Sequence, residues 1–161
     1  MIALSVLSLR ARVALRYLAS MADWLLSTDP TRLDLDRIHG WLSEAYWSPG
    51  VRRDIVERAF ANSLAIGAYA ADGEQLAVAR VVTDRATFAW LCDVFVAPHA
   101  RGRGIARAMV RALLADPALA TLRRWCLATR DAHDIYAACG FTPVDARLWM
   151  ELKPAPAAWT C

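Results

Sequence analysis

The stretch that decides the fold is Cys92-Asp93-Val94-Phe95-Val96-Ala97-Pro98-His99-Ala100-Arg101-Gly102-Arg103-Gly104-Ile105-Ala106, running into Arg107-Ala108-Met109-Val110-Arg111-Ala112-Leu113-Leu114. An apolar strand ends at Pro98, a short loop carries Arg101, Gly102 and Arg103, and a helix begins at about Gly104. A helix start exposes unpaired backbone N–H groups and partial positive charge, so it favours an anion. Gly102 and Gly104 carry no Cβ, so the backbone can approach that anion closely. Along the helix Ile105, Met109 and Leu113 share one face, and Arg103, Arg107 and Arg111 share another. Cations at a helix N-terminus cost about 0.3–1 kcal/mol each. Arg101, Arg103 and Arg107 all crowd that end, a conflict that a bound polyanion removes; Arg111 reads as part of a solvated face.

Two familiar phosphate loops are excluded by residue type. A Walker loop needs Lys and then Ser/Thr where Ile105 and Ala106 stand. The dinucleotide fingerprint G-x-G-x-x-G/A has Arg107 in its last place. Arg101 to Ala106 spells R-x-x-G-x-A, which resembles the acyl-CoA pyrophosphate loop of the GNAT N-acetyltransferase superfamily. Val94-Phe95-Val96-Ala97-Pro98 looks like that family's fourth strand. A second match is Ala128-Thr129-Arg130-Asp131-Ala132-His133-Asp134-Ile135-Tyr136-Ala137-Ala138-Cys139-Gly140-Phe141, in which Gly-Phe follows Tyr by four residues. The resemblance spans roughly residues 22–152.

Around these segments the chain reads as alternating elements. Trp24 to Ser27 is a short strand. Asp34 or Asp36 caps a helix through about Ser43, and Ser48-Pro49-Gly50 breaks the chain. A second helix, Val51 to Asn62, has Ile55 and Ala59 inward. Leu64 to Ala70 and Leu76 to Val82 form a hairpin about Asp72-Gly73. Thr83-Asp84-Arg85-Ala86 turns into a central strand, Thr87 to Val96, apolar on both faces. The loop helix ends near Asp116-Pro117, and Trp125 to Ala128 follows as a parallel strand. Asp131 starts a short helix ended by Gly140, and Leu148 to Leu152 is the last strand. This order predicts a three-layer α/β fold whose mixed sheet has about six to seven strands, and it is also the order of the GNAT fold.

Composition agrees with one domain. The 161 residues are 57% hydrophobic and include seven Trp, which argues against disorder. A net charge of +3 is too weak to imply nucleic acid, and no run of 18 apolar residues suggests a membrane span. Cys92, Cys126, Cys139 and Cys161 form no C-x-x-C, consistent with free thiols in a reducing cytoplasm. No zinc spacing exists among the Cys and the three His, and the chemistry calls for no metal. Residues 1–21 read as an N-terminal extension, an appended helix or a start assigned upstream of Met21. Residues 22–153 read as the domain, and 154–161 as a Pro/Ala-rich tail.

The resemblance implies an enzyme that moves an acetyl group from acetyl-CoA to a primary amine by direct attack in a ternary complex. The backbone of Arg101, Gly102, Arg103, Gly104, Ile105 and Ala106 would meet the pyrophosphate. Val94, Phe95 and Val96 would pair with the pantetheine amides between splayed fourth and fifth strands. Tyr136 would protonate the departing thiolate, a reading preferred to that of a core aromatic on a short helix. Asp93 is the lone charge in its strand. It suits a general base, and equally an ion pair with a nearby Arg such as Arg80. Cys92 sits beside it with no basic neighbour in view, so packing is preferred to an acyl-cysteine. Glu44, Tyr46 and Trp47 fall where the family lines its acceptor side, and aromatics with a carboxylate suit a cationic amine. A non-catalytic acyl-CoA-binding module and an Arg-rich nucleic-acid binder are the competing readings; the second lacks aromatics interleaved with its Arg cluster. A homodimer is left open.

Overall fold

A computed structural model describes residues 23–153 and residue 160. The expectations for residues 1–21, and for most of 154–161, therefore lie outside the described residues. Nine regular elements follow in chain order: β1 (Trp24–Ser27), α1 (Leu35–Glu44), α2 (Arg53–Ala61), β2 (Leu64–Ala70), β3 (Gln75–Thr83), β4 (Phe88–Val96), α3 (Ile105–Leu114), β5 (Arg124–Cys126) and α4 (His133–Ala137). The strands form one sheet in the order β1-β2-β3-β4-β5, antiparallel up to β4 and parallel between β4 and β5. The predicted mixed sheet is present, with five strands among the described residues against the six or seven expected.

Strand alternation sends the two faces of β3 into two cores. Ala77 and Ala79 pack with Ile105, Met109, Val110 and Leu113 of α3. Val78, between them, packs with Ile38, Leu42, Val56 and Phe60 of α1 and α2. Helices thus cover both faces, which makes three layers. Asp34 caps α1 by accepting from the Arg37 N–H at 3.0 Å, as its spacing predicts. The predicted hairpin turn also forms, with Gly73 at φ +94° and its N–H on the Ala70 carbonyl.

Several expectations are corrected. In α2 the buried pair is Val56 and Phe60, not Ile55 and Ala59. Both pairs keep the four-residue spacing, and packing against α1 and Val78 of β3 selects the one carrying Phe60. The short helix α4 is not capped by Asp131: its cap position is Ala132, whose N–H donates to Thr129 Oγ1 at 3.1 Å. The strand expected at Leu148–Leu152 does not form. Asp145 instead accepts from the Arg147 N–H at 3.0 Å and pairs with its guanidinium at 2.7 Å, holding a single 3-10 turn at Ala146–Leu148. Leu148, Met150 and Leu152 are left largely exposed.

Tyr69 in β2 folds its ring back over Gly67, where a Cβ would collide with the phenol. The ring is 2% exposed, the Arg32 guanidinium lies 4.2 Å from its centroid, and its hydroxyl is buried without a hydrogen-bond partner among the described residues. Burial pushes the Tyr69 phenol up to about 12. The unfolded chain loses that proton near pH 10, so the native state binds more protons between pH 10 and 12 and stability falls as pH rises through that window. The Tyr69 share of this loss is about 3 kcal/mol at most. Tyr69→Phe should leave the urea midpoint at pH 7 unchanged or slightly raised, because it removes an unpaired buried hydroxyl, and should flatten the alkaline fall. Midpoints at pH 7, 9 and 11 check this; an equal alkaline fall in the variant would refute it.

Candidate active site

The site follows from where β4 and β5 part. Their pairing covers only Phe88, Ala89 and Trp90 against Arg124, Trp125 and Cys126. Beyond Trp90, β4 runs six more residues to Val96 with no strand among the described residues pairing on that side. A cleft of about 740 Å³ occupies the gap. It is lined by Val94, Phe95 and Val96 of β4, by Asp131, Ala132, Ile135 and Tyr136 of the α4 segment, by Gly102, Gly104, Ile105, Ala106 and Arg107 at the start of α3, and by Glu44, Ala45, Tyr46 and Trp47 at and just past the end of α1.

The loop end is built as its sequence requires. After β4 the Ala97 N–H bonds the Leu76 carbonyl, and Pro98–Ala100 make one 3-10 turn with Ala100 buried. Gly102 and Gly104 both sit at φ +75°, the left-handed region that disfavours a Cβ. Gly104 is the cap residue of α3 and provides no side-chain acceptor, so the first N–H groups of the helix remain free to meet a ligand. Arg101 lines the cleft, donates through Nε to the Val96 carbonyl at 3.1 Å and lies 5.8 Å from the Phe95 ring centre. Arg103 is not among the lining residues; its guanidinium lies 3.9 Å from Asp23. Arg107 lines the cleft, at the helix start where the sequence places it with Arg101 and Arg103.

Tyr136 lines the cleft, its ring edge-on to Phe141 at 6.1 Å. Burial, with the nearby Tyr46 hydroxyl, Cys139 and Asp131 adding to it, pushes its phenol up to about 12. Tyr46 and Trp47 meet edge to face at 4.9 Å. The Tyr46 hydroxyl accepts from the Arg130 N–H at 2.9 Å, and the Arg130 guanidinium lies 3.8 Å over the Tyr46 ring. Glu44 makes no ion pair among the described residues.

Asp93 is not among the lining residues. It occupies a β-bulge: Asp93 and Val94 together oppose Ala79, and Asp93 has φ +53°. Its carboxylate accepts from Arg80 Nε at 2.7 Å and from Trp47 Nε1 at 3.2 Å. The ion-pair alternative for Asp93 is therefore present. Cys92 lies outside the cleft, and burial pushes its thiol up to about 11, away from the reactive thiolate. His39 is tied to the Val51 carbonyl at 3.0 Å, and His99 and His133 are not lining residues. Among the described residues no three of His, Cys, Asp and Glu gather where a metal could be held. Sequence reasoning missed Ile135 as a lining residue, although it adjoins Tyr136, which it did name. It also missed the bond between Trp47 and Asp93, which no spacing announces.

A family model for the acetyltransferase (GNAT) domain matches residues 63–143, from just before β2 to past α4. The chain belongs to the GNAT acetyltransferase family. Members of this family use acetyl-CoA as cosubstrate, so the match bears on the cleft as well as the fold. A Gibberella zeae protein described as a candidate acetyltransferase, FG08082, is 30% identical over 136 residues, covering 71% of this chain and 76% of its own. A crystal structure from Xanthomonas campestris pv. campestris, described as a candidate GNAT-family acetyltransferase, superposes with a TM-score of 0.80 at 42% identity, covering 88% of this chain and 99% of that one. A Clostridium acetobutylicum structure of a predicted acetyltransferase with acetyl-CoA has a TM-score of 0.61 at 17% identity, covering 81% and 94%; at that identity the likeness speaks for the GNAT fold alone. No helix among the described residues is long and apolar enough to cross a membrane.

Proposed function

We propose that this GNAT-family acyltransferase moves an acetyl group from acetyl-CoA to a primary amine of a small molecule, by direct attack within a ternary complex in the cytoplasm. The observation that carries the reading is the cleft itself. It joins an unpaired strand edge, which suits an extended amide-bearing arm, to uncapped helix N–H groups flanked by Arg101 and Arg107, which suit a diphosphate. The residues present therefore fit the cosubstrate. Backbone groups of Gly102, Arg103, Gly104, Ile105 and Ala106 would hold the phosphates, with Arg101 beside them. Val94, Phe95 and Val96 would hold the arm. When bound, acetyl-CoA supplies an acyl group activated as a thioester.

The chain's own residues do the rest. Tyr136 carries a neutral hydroxyl throughout the physiological range and can donate a proton to a departing thiolate. The high Cys92 pKa favours direct transfer over a cysteine-bound acyl group. At the acceptor end, Arg130 already occupies one face of Tyr46, so Trp47 and the unpaired Glu44 carboxylate are the groups left for a cationic amine. A thermal-shift series with acetyl-CoA, followed by thiol release measured over a panel of amines, tests the proposal. A rise in Tm with acetyl-CoA and turnover on at least one cationic amine are expected. Stabilisation without turnover on any amine would overturn the catalytic reading, and no stabilisation would overturn both parts.

A further inference from the structure

We propose that Asp93 is a positioning residue for the acceptor end, holding Trp47 in place through its indole N–H, rather than a base that meets the amine. The inference rests on the reading of Trp47 as part of the amine site.

In a regular ladder Arg80 and its partner Cys92 share a face, and Asp93 would point to the other. The bulge and the left-handed φ of Asp93 re-aim its carboxylate onto Arg80. Asp tolerates that conformation better than most residues, though it remains uncommon. Arg80 is itself immobilised: Nη1 donates to Ser63 Oγ at 3.0 Å, and the guanidinium lies 5.8 Å from the Phe60 ring centre. Ser63 Oγ in turn donates to the Ala59 carbonyl at 2.7 Å. A chain of contacts thus runs from the end of α2 through Ser63, Arg80 and Asp93 to Trp47.

The chain ends on a side chain that needs an anchor. Trp47 is 38% exposed and sits in the connection after α1, outside any regular element. The side chains of Arg80 and Asp93 are only 16% and 11% exposed, so the anchoring pair is shielded while the platform faces the cleft. One Asp93 oxygen carries the Arg80 donor and the other carries the Trp47 donor. A carboxylate engaged at both oxygens, and outside the cleft lining, is placed to orient a neighbour and not to take a proton from substrate.

The test uses Asp93→Asn, Trp47→Phe and the double variant, assayed against the best amine from the panel. Trp47→Phe leaves the Arg80–Asp93 pair intact, so it serves even if Asp93→Asn fails to fold. Each single change should raise the acceptor KM about tenfold, the loss of one hydrogen bond to a charged group. The double variant should be no worse than either single one, because both break the same link. kcat should fall less than KM rises, and the acid limb of the kcat/KM profile should persist in Asp93→Asn. A collapse of kcat with loss of that limb would instead make Asp93 the base, and multiplying KM effects would mean the two residues act separately. A second readout needs no turnover. The indole N–H resonance missing from the Trp47→Phe spectrum should shift in Asp93→Asn or, failing that, in Arg80→Lys. An unmoved resonance overturns the inference. An inactive wild type with a resonance that does move overturns the amine-transfer reading instead and leaves the anchor standing.

Discussion

Gly104→Glu is expected to weaken binding of coenzyme A by roughly a hundredfold or more, the sum of a conformational and an electrostatic effect. Gly104 has φ +75° and caps α3 without a side-chain bond. Any side chain there disfavours the left-handed conformation by about 1–2 kcal/mol, so the loop in the free protein relaxes away from the geometry that presents its N–H groups. A Cβ at this position meets no atom within 4 Å, so the fold itself is not crowded by the change. The carboxylate then lies at the helix end where a diphosphate would sit, and like charges near a protein surface repel by several kcal/mol at contact distance. Gly104→Ala separates the two effects: it keeps the strain, adds no charge, and should cost about tenfold. Isothermal calorimetry at moderate salt measures all three proteins. Affinity in Gly104→Glu within twofold of wild type would remove the diphosphate from this loop, and the proposed function with it.

The second large effect is on turnover. Tyr136→Phe should lower kcat by about 10²–10⁴-fold, the usual range for losing a positioned proton donor. Acetyl-CoA affinity should be nearly unchanged, because the backbone proposed to hold the phosphates lies in the Gly102–Ala106 loop rather than in α4, and the ring packing against Phe141 is kept. The sign of the pH dependence follows from burial. The phenol is pushed up to about 12, so its donor form is complete at neutral pH and is lost only as pH climbs toward that value. A wild-type kcat that shows no alkaline decline attributable to a phenol below about pH 10 is therefore expected. An equal kcat in Tyr136→Phe would leave Tyr136 as a wall of the cleft and send the proton to another donor.

Residue type and spacing alone carried much of this. The run Arg101-Gly102-Arg103-Gly104 needs a strand before it and a helix after it, and the structure supplies both. Gly-Phe after Tyr136 marks the end of α4, where Gly140 has φ +95°. Asp72-Gly73 specifies the β2–β3 turn. These are local signals: they depend on backbone conformations that few residues tolerate, so they survive without knowledge of neighbours.

What failed was decided by distant contacts. Either Ile55/Ala59 or Val56/Phe60 satisfies the helical period, and only the surface offered by α1 and the sheet chooses between them. Leu148, Met150 and Leu152 alternate as a strand should, yet a strand needs a partner edge, and the Asp145–Arg147 turn diverts the chain first. The cleft is a tertiary product for the same reason. Periodicity marks β4 as a central strand but cannot say that β5 stops pairing after three residues. Nor can it bring Trp47 to Asp93, 46 positions apart, because that meeting depends on a single extra residue in the β4 ladder. The sequence by itself determined the Gly102–Gly104 loop at the start of α3, the tyrosine of α4 and the family they resemble, since each is written in local backbone demands. The tertiary structure alone decided the opening between β4 and β5 and the bond from Trp47 to Asp93, since both depend on how the strand edges and the β4 bulge are placed once the sheet has formed.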